Sequence, residues 1–206
     1  MDKYVEIIKQ NIDSLPYGSA FVVSDFTGIC DYQTAKKSLA RLVDSGTIRR
    51  VIRGVYDKPS YSKLLKEFSA PDPNQVAIAI ARNFNWNIVP AGNAALNMLG
   101  LSTQVPAKWE YCSSGPYRDY EIGNITLCFK HSSNKEIEGL SYDTALLVQA
   151  IKALGKGNIS EDVITRLRDR TNNLNKDTVL QEARYTTSWV FTVIKKLCEK
   201  DTTQNV

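Results

Sequence analysis

The sequence contains few of the side chains from which metal sites and catalytic triads are built. Among its 206 residues there is one histidine, His131, and no two cysteines lie at the Cys-x-x-Cys spacing. Structural zinc needs cysteine and histidine ligands at such short spacings. The sequence therefore predicts no metal site, and we interpret His131 as a polar residue after a strand. The cysteines are interpreted as reduced, buried thiols: Cys30, Cys112, Cys128 and Cys198.

Sequence motifs of enzymes are also missing. The chain has no Gly-x-Ser-x-Gly turn and no Gly-x-x-x-x-Gly-Lys phosphate loop. Asp119-x-Glu121 follows Gly115 after three residues, which is too close for the helix that separates the Gly-Ser turn from the acidic pair in nucleotidyltransferases. We expect Asp119 and Glu121 on a solvated strand face, with a metal site between them as the alternative. The sequence predicts neither an enzyme nor a bound cofactor.

Long apolar segments are absent as well. No apolar run approaches the ~20 residues that a membrane-spanning helix needs. The N-terminus, Met1–Glu6, is charged and lacks the apolar centre of a signal peptide. The sequence therefore predicts a cytoplasmic protein without a membrane partner.

Helix signals occur in the chain from Val23 to Gly46. Val23–Phe26 is expected to form a short helix, and Asp31 stands where a second helix needs an N-cap. Gly46 is placed to end that second helix. Its apolar positions recur at helical spacing, at Ala35, Leu39, Leu42 and Val43. Two helices joined by a short break indicate a helix-turn-helix.

A basic hairpin is predicted directly after this pair of helices. Thr47–Tyr56 contains two β-rich runs that turn near Arg53-Gly54. From Tyr32 to Lys58, seven basic residues stand against two acidic ones, a net charge of +5 compared with +4 for the whole chain. A helix-turn-helix with a basic hairpin is typical of winged DNA-binding modules.

The DNA contacts are predicted from the positions of these side chains. Residues near the start of a recognition helix reach base edges, so Gln33 and Thr34 are expected to read bases. The cations are expected to hold phosphates. The predicted DNA-binding residues are Tyr32, Gln33, Thr34, Lys36, Lys37, Arg41, Arg49, Arg50 and Arg53. Two alternatives stay open: a solvated basic helix beside an ordinary hairpin, and a winged helix that docks on protein.

Two domains are predicted. The winged helix-turn-helix would cover residues 1–58, with an opening helix that carries Ile8 and Ile12. A linker region would follow, with a short helix at about Tyr61–Phe68 bounded by Pro71-Asp72-Pro73, and with Asn74 as the cap of the next helix. An α+β domain would cover residues 61–206.

The α+β domain is expected to combine a small antiparallel sheet with helices at its C-terminal end. One broad apolar helix face, near Trp189, would cover either the sheet or a partner subunit. The predicted strands are Trp86–Val89, Lys108–Cys112, Tyr117–Ile122 and Ile125–His131, and the predicted helices are Asn93–Leu99, a helix after Ser141, Glu161–Arg170 and Asp177–Lys200.

The chain also resembles a known family. The residues that carry the resemblance are Leu39-x-x-Leu42, Gly46-x-Ile48-x-Arg50, Arg53-Gly54-Val55-Tyr56-x-x-Pro59 and the string Pro90-Ala-Gly-Asn-Ala-Ala-Leu-Asn-x-Leu-Gly-Leu-Ser-Thr-Gln-Val-Pro106. With them, residues 1–197 resemble the AbiEi-like antitoxins and transcriptional regulators of type IV (abortive-infection) toxin–antitoxin systems, in particular a branch formerly of unknown function. The Gly92 to Pro106 part is the more specific motif.

The resemblance implies a function. It implies a bacterial, phage or mobile-element protein that represses its own operon by binding double-stranded DNA at promoter repeats, in a system of phage defence. It also implies that the protein opposes a co-transcribed nucleotidyltransferase toxin without a stable complex. The expectation is therefore a DNA-binding transcriptional repressor that acts as an antitoxin. The alternative is a winged-helix protein-interaction module without antitoxin activity.

Overall fold

The first elements of the chain are two α-helices and a three-stranded sheet. In the computed structural model, which describes residues 3–132 and 139–199, the strands form an antiparallel sheet in the order β1-β3-β2. The predicted start of the second helix at Tyr32 and the predicted hairpin are confirmed. The bounds are α1 Lys3–Ser14, β1 Ala20–Val22, a 3-10 helix Val23–Phe26, α2 Tyr32–Asp44, β2 Arg49–Ile52 and β3 Val55–Asp57.

These elements share one apolar core. Helix α1 buries Ile8 and Ile12, which are spaced by one helical turn. Helix α2 buries Ala35 and Leu39 at the same spacing. Phe21 from β1 stacks on Tyr56 from β3, with 6.4 Å between the ring centroids. The core therefore fixes α2 by one face only, and leaves its other face to solvent.

A third helix, α3 (Pro73–Phe84), belongs to the same unit. Its cap is Asp72, not Asn74 as expected, because the Asp72 carboxylate accepts from the amides of Asn74 and Gln75 at 2.8 and 3.2 Å. The helix packs against β1 and β3. Its Arg82 binds both carboxylate oxygens of Asp25, each at 2.7 Å.

The division of the chain therefore differs from the predicted one. One unit comprises Met1–Trp86 with Glu121–Asn124, and the other comprises Asn87–Tyr120 with Ile125–Val206. The sequence-based boundary between 58 and 61 fell too early because the residues from Pro73 to Phe84 are not local neighbours of β1 and β3 in the chain. Their packing partner is visible only in three dimensions.

The predicted helix at 61–68 is wrong. Two short strands, β4 (Tyr61–Ser62) and β5 (Glu67–Phe68), pair there as an antiparallel hairpin. Lys66 adopts a positive φ of 55° in the connecting turn, a conformation incompatible with a continuing helix. The large apolar side chains of this segment are exposed, so they do not form the buried face that would hold a helix against the unit.

The second unit combines helices with most of a four-stranded sheet, so the predicted α+β class is confirmed. The strand order is β6-β7-β9-β8. The expectation of an antiparallel sheet is wrong for one pair: β7 and β9 are parallel, because β8 takes the sheet edge and does not lie between them. The strands are β6 Ile88–Ala91, β7 Lys108–Ser113, β8 Arg118–Ile122 and β9 Ile125–His131.

The helices of this unit surround two apolar clusters. Ser141 and Ser160 cap α5 and α6 through their side chains. The single helix expected from Asp177 is two helices, because a turn at Thr186, which bonds the Ala183 carbonyl through its backbone amide and hydroxyl, separates them; Lys200 lies outside the described residues. The bounds are α4 Gly92–Met98, α5 Tyr142–Leu154, a 3-10 helix Lys156–Asn158, α6 Glu161–Arg170, α7 Lys176–Ala183 and α8 Ser188–Cys198.

The broad apolar face near Trp189 lies on α8. Val190, Ile194 and Leu197 are buried there in a cluster with residues of α5, α6 and α7. The expectation that this face covers the sheet or a partner subunit is therefore not met. The face instead packs among the helices of its own unit.

Helix α4, Gly92–Met98, confirms the helix predicted at Asn93–Leu99 to within one residue at each end. Ala94 and Ala95 are fully buried, and α4 packs against α5, β6 and β7. Gly92 has a positive φ of 56°, and a Cβ there would lie 3.2 Å from the Glu110 carboxylate. The helical part of the string that carries the family resemblance therefore belongs to the core, whereas residues 103–105 are exposed.

The ion pair of Arg82 and Asp25 is expected to couple α3 to the 3-10 helix. In a double-mutant cycle with Arg82→Ala and Asp25→Ala, we expect a coupling free energy of about 1 kcal/mol, since the pair is bidentate but partly exposed. Urea unfolding of the four proteins measures it. The matched control is Arg53→Ala with Asp25→Ala, because Arg53 has no ion pair with Asp25. Coupling near zero in the first cycle would contradict this role.

Candidate nucleic-acid interface

Asp31 sets the start of α2. Its carboxylate accepts from the backbone amides of Gln33 and Thr34, both at 3.0 Å, and from the Thr34 hydroxyl at 2.6 Å. These hydrogen bonds, the one from the Thr34 side chain foremost, lower the pKa of Asp31. The predicted N-cap is thus confirmed, and the carboxylate stays ionised at neutral pH beside the positive end of the helix.

The two candidates for base reading have different environments. The Thr34 hydroxyl donates its hydrogen bond to Asp31, so its first role is to stabilise the N-cap. Gln33 is exposed at the second position of the helix. Tyr32, the first helical residue, is 49% exposed. Gln33 therefore has the freer polar side chain at the end of α2 where base contacts are expected.

The exposed face of α2 is basic. Positions three and four residues apart lie on one side of a helix, and here the exposed residues follow that spacing while Ala35, Leu39 and Leu42 are buried opposite them. The exposed residues of this face are Gln33, Lys36, Lys37, Ala40 and Arg41. Ala40 was not among the predicted residues, although its helical spacing from Gln33 and Lys36 was the available signal. Its small side chain leaves room for close approach at the centre of the face.

The hairpin of β2 and β3 carries two exposed arginines. Arg53 lies in the turn beside Gly54, whose φ is +84°. The strand register shifts between Arg50 and Ile52, which marks a β-bulge in β2. Arg50 is exposed at this irregular point of the strand. Both arginines are thus exposed on the same hairpin, Arg50 at the bulge and Arg53 in the turn.

Arg49, the third predicted arginine of the hairpin, has partners within the chain. Its Nε donates to Asp57 Oδ1 at 3.0 Å, and its Nη2 donates to Asp57 Oδ2. Its Nη1 donates to the Ser69 carbonyl at 2.8 Å. Asp57 is 1% exposed, so Arg49 neutralises a buried carboxylate. The structure therefore gives Arg49 a structural role, and its predicted contact with DNA would require these bonds to be shared or broken.

Lys58 also has an internal role. Its ammonium donates to the carbonyls of Asp13 and Leu15, both at 2.7 Å, where α1 ends. The same group lies 4.7 Å from the centre of the Tyr17 ring. Lys58 thus satisfies carbonyls at the negative end of a helix. It contributes to the net charge of the segment but not to the exposed basic surface.

Five exposed cations remain, and we call them the basic surface: Lys36, Lys37, Arg41, Arg50 and Arg53. Over the residues that the structure describes, four of them have no ion-pair partner, namely Lys36, Lys37, Arg50 and Arg53. Cations that are not neutralised within the protein are available to phosphates, from which they release condensed counterions. The arrangement suits a polyanion.

Other candidate residues do not assemble into a site. His131 ends β9, where Nδ1 lies 3.1 Å from the Gly115 carbonyl oxygen. Asp119 and Glu121 are exposed two residues apart on β8. Among the described residues no three histidine, cysteine, aspartate or glutamate side chains are grouped so that they could hold a metal. Within the same residues no helix combines the length and apolar character needed to cross a membrane.

A family model described as "Family of unknown function (DUF6088)" matches residues 7–179. The chain belongs to this family. A search of curated proteins found no significant match. Among solved structures, the chain is similar to the crystal structure of RV2827C protein from Mycobacterium tuberculosis, with 12% sequence identity, a TM-score of 0.42, and coverage of 96% of this chain and 77% of that one. Family membership names no activity, so function must be argued from the geometry of this chain.

Arg49 and Arg50 are neighbours with different roles, so replacing each one singly is expected to change the free energy of unfolding by different amounts. Arg49→Ala leaves the Asp57 carboxylate buried without its partner, and we expect a loss of about 2 kcal/mol in unfolding free energy, less than for a fully buried pair because Arg49 is partly exposed. Arg50→Ala, the matched control, should change stability little, because Arg50 is exposed. Urea unfolding measures both. Equal stability of the two variants would contradict the structural role of Arg49.

Proposed function

We propose that residues 1–86 form a winged helix-turn-helix that binds double-stranded DNA. The observation that carries the proposal is the basic surface, whose exposed cations lie on α2 and on the β2–β3 hairpin. The order of elements, helix, strand, short helix, helix and hairpin, supports it. In such modules the second helix of the pair enters the major groove and the hairpin lies along the backbone.

The roles of the side chains follow from this placement. Helix α2 would enter the major groove, which is about 12 Å wide, with Ala40 permitting close approach. Gln33, near the N-terminal end of α2, would contact base edges. Lys36, Lys37 and the hairpin arginines would hold phosphates and set the register of the helix on the duplex.

We further propose that the protein is the transcriptional repressor and antitoxin of a type IV toxin–antitoxin operon. The resemblance of the Gly92 to Pro106 string to AbiEi-like proteins supports this assignment. The DNA would be the repeats in the protein's own promoter, and the toxin would be a nucleotidyltransferase encoded by the neighbouring gene. Residues 87–206 have a net charge of only +1, so the second unit is the better candidate for opposing the toxin.

The DNA-binding proposal predicts a specific salt dependence. We expect Arg50→Ala with Arg53→Ala to weaken binding to all DNA sequences alike, because phosphate contacts carry no sequence information. The slope of log affinity against log salt should fall by about two, roughly one for each lost contact. Gel shifts with the upstream DNA of the gene and with unrelated DNA measure both effects.

The control for this experiment is Lys156→Ala, which removes an exposed cation from the second unit. Its affinity and salt slope should match those of the unmodified protein. If the double arginine variant also retains full affinity and slope, the hairpin does not contact DNA.

Base reading is tested separately through Gln33. Gln33→Ala should cost about 1 to 3 kcal/mol on the promoter repeats and little on unrelated DNA, because a bidentate base contact discriminates between sequences. Thr34→Ala is the comparison: it removes a bond to Asp31 and should lower stability as well as affinity. Equal losses of the Gln33 variant on both DNAs would assign Gln33 to the backbone instead.

The antitoxin proposal predicts a division of activities between the two units. Residues 1–86 should bind the promoter DNA but fail to protect cells from the neighbouring toxin, whereas residues 87–206 should show the reverse. The cut lies at the boundary between Trp86 and Asn87, and Glu121–Asn124 stay with the second fragment. Co-expression with the toxin and gel shifts measure the two activities. Protection by residues 1–86, or promoter binding by residues 87–206, would contradict this division.

A further inference from the structure

The hairpin of β4 and β5 has an unusual tip. Leu64 is 90% exposed and Leu65 is 67% exposed, and neither contributes to an apolar core. Lys63 and Lys66, both exposed, bracket the two leucines. The tip therefore exposes two large apolar side chains between two cations. Such a surface is complementary to a ligand that has both apolar and anionic parts.

The stem of this hairpin is well defined. Tyr61 pairs with Phe68 across the strands, and their rings make an edge contact with 5.2 Å between centroids. The base is closed by the Ser69 amide, which donates to the Ser60 carbonyl at 2.8 Å. Leu65 is held in the turn because its amide donates to the Ser62 hydroxyl at 3.2 Å. The exposure of Tyr61 and Phe68 thus has a structural explanation, whereas that of the two leucines does not.

The stem is also attached to the sheet that carries the basic surface. The Ser69 carbonyl accepts from Arg49, which lies in β2 directly before Arg50. Strand β4 ends at Ser62, so Leu64 and Leu65 lie in the turn of residues 63–66 beyond it. The tip therefore projects past the paired strands that form the stem of the hairpin.

We infer that the β4–β5 hairpin is a second DNA-binding element, whose Leu64 and Leu65 insert between base pairs from the minor groove while Lys63 and Lys66 hold the flanking phosphates. The inference rests on the proposed DNA binding by the same unit. Proteins that bend the duplex from the minor groove use such apolar wedges beside basic residues. A protein partner fits less well, because binding hot spots favour tryptophan, tyrosine and arginine over leucine and lysine.

The test uses the full chain and two short duplexes that are identical except for a central T·T mismatch. A mismatch lowers the cost of unstacking, so a protein that inserts a wedge binds the mismatched duplex more tightly. We expect a preference of about tenfold for the mismatched duplex, since unstacking one intact step is costly. In Leu64→Ser with Leu65→Ser the preference should disappear, while thermal stability stays unchanged because both side chains are exposed.

Two control variants separate this effect from other changes. Val105→Ser replaces an aliphatic side chain that is also exposed, at 70%, and should keep the preference. Arg50→Ala with Arg53→Ala should weaken binding to both duplexes equally and leave the preference intact. The ratio of the two affinities thus tests the leucines as a wedge. The absolute affinities test the basic surface.

The remaining outcomes overturn the inference in distinguishable ways. Binding of both duplexes with equal affinity, or a preference that survives the loss of both leucines, would overturn the wedge but leave DNA binding intact. A changed oligomeric state of the leucine variant in sedimentation, with an unchanged affinity ratio, would assign the leucines to a contact between copies of the chain. No binding to either duplex would overturn the wedge and the proposed function together.

Discussion

The buried carboxylate of Asp57 is the group on which the arrangement of the N-terminal unit depends. A carboxylate that is 1% exposed must be paired, because an isolated buried charge is very costly. Arg49 supplies the pair and extends one further nitrogen to Ser69. One guanidinium therefore joins β2, β3 and the base of the β4–β5 hairpin. Successive side chains of a strand point to opposite faces of the sheet. Because Arg49 points toward Asp57, its neighbour Arg50 points to the other face and is exposed.

Features of the fold that depend on neighbours in the chain could be predicted from the sequence. The cap at Asp31, the apolar face of α2 and the turn at Gly54 each follow from residues within one or two helical turns. Features that depend on distant partners could not. Arg82 binds Asp25 across 57 positions, and no local pattern marks either residue as the other's partner. The boundary after Trp86 escaped prediction for the same reason.

The candidate interface was predictable to a similar extent. Its location and its exposed lysines followed from helical spacing and charge, whereas the use of each arginine did not. The sequence does not distinguish Arg49 from Arg50 and Arg53, because all three belong to one basic run. Only the position of the buried Asp57 carboxylate shows which arginine forms an internal ion pair. The sequence also did not indicate the hairpin at Tyr61–Phe68, where a helix was predicted. Here the apolar residues are exposed, and cross-strand pairing of Tyr61 with Phe68 determines the structure.

The net charge of residues 32–58 does not equal the charge that they expose, because some of their charged side chains are paired inside the protein. Of the seven basic side chains between Tyr32 and Lys58, Arg49 and Lys58 have partners inside the protein, and Arg49 neutralises Asp57. The five that remain are opposed within the segment by Asp44 alone, so the exposed charge stays strongly positive and lies on α2 and one hairpin turn. The electrostatic attraction to a polyanion therefore acts on a small part of the chain. A localised field orients a ligand, whereas the same charge spread over the whole surface would only attract it.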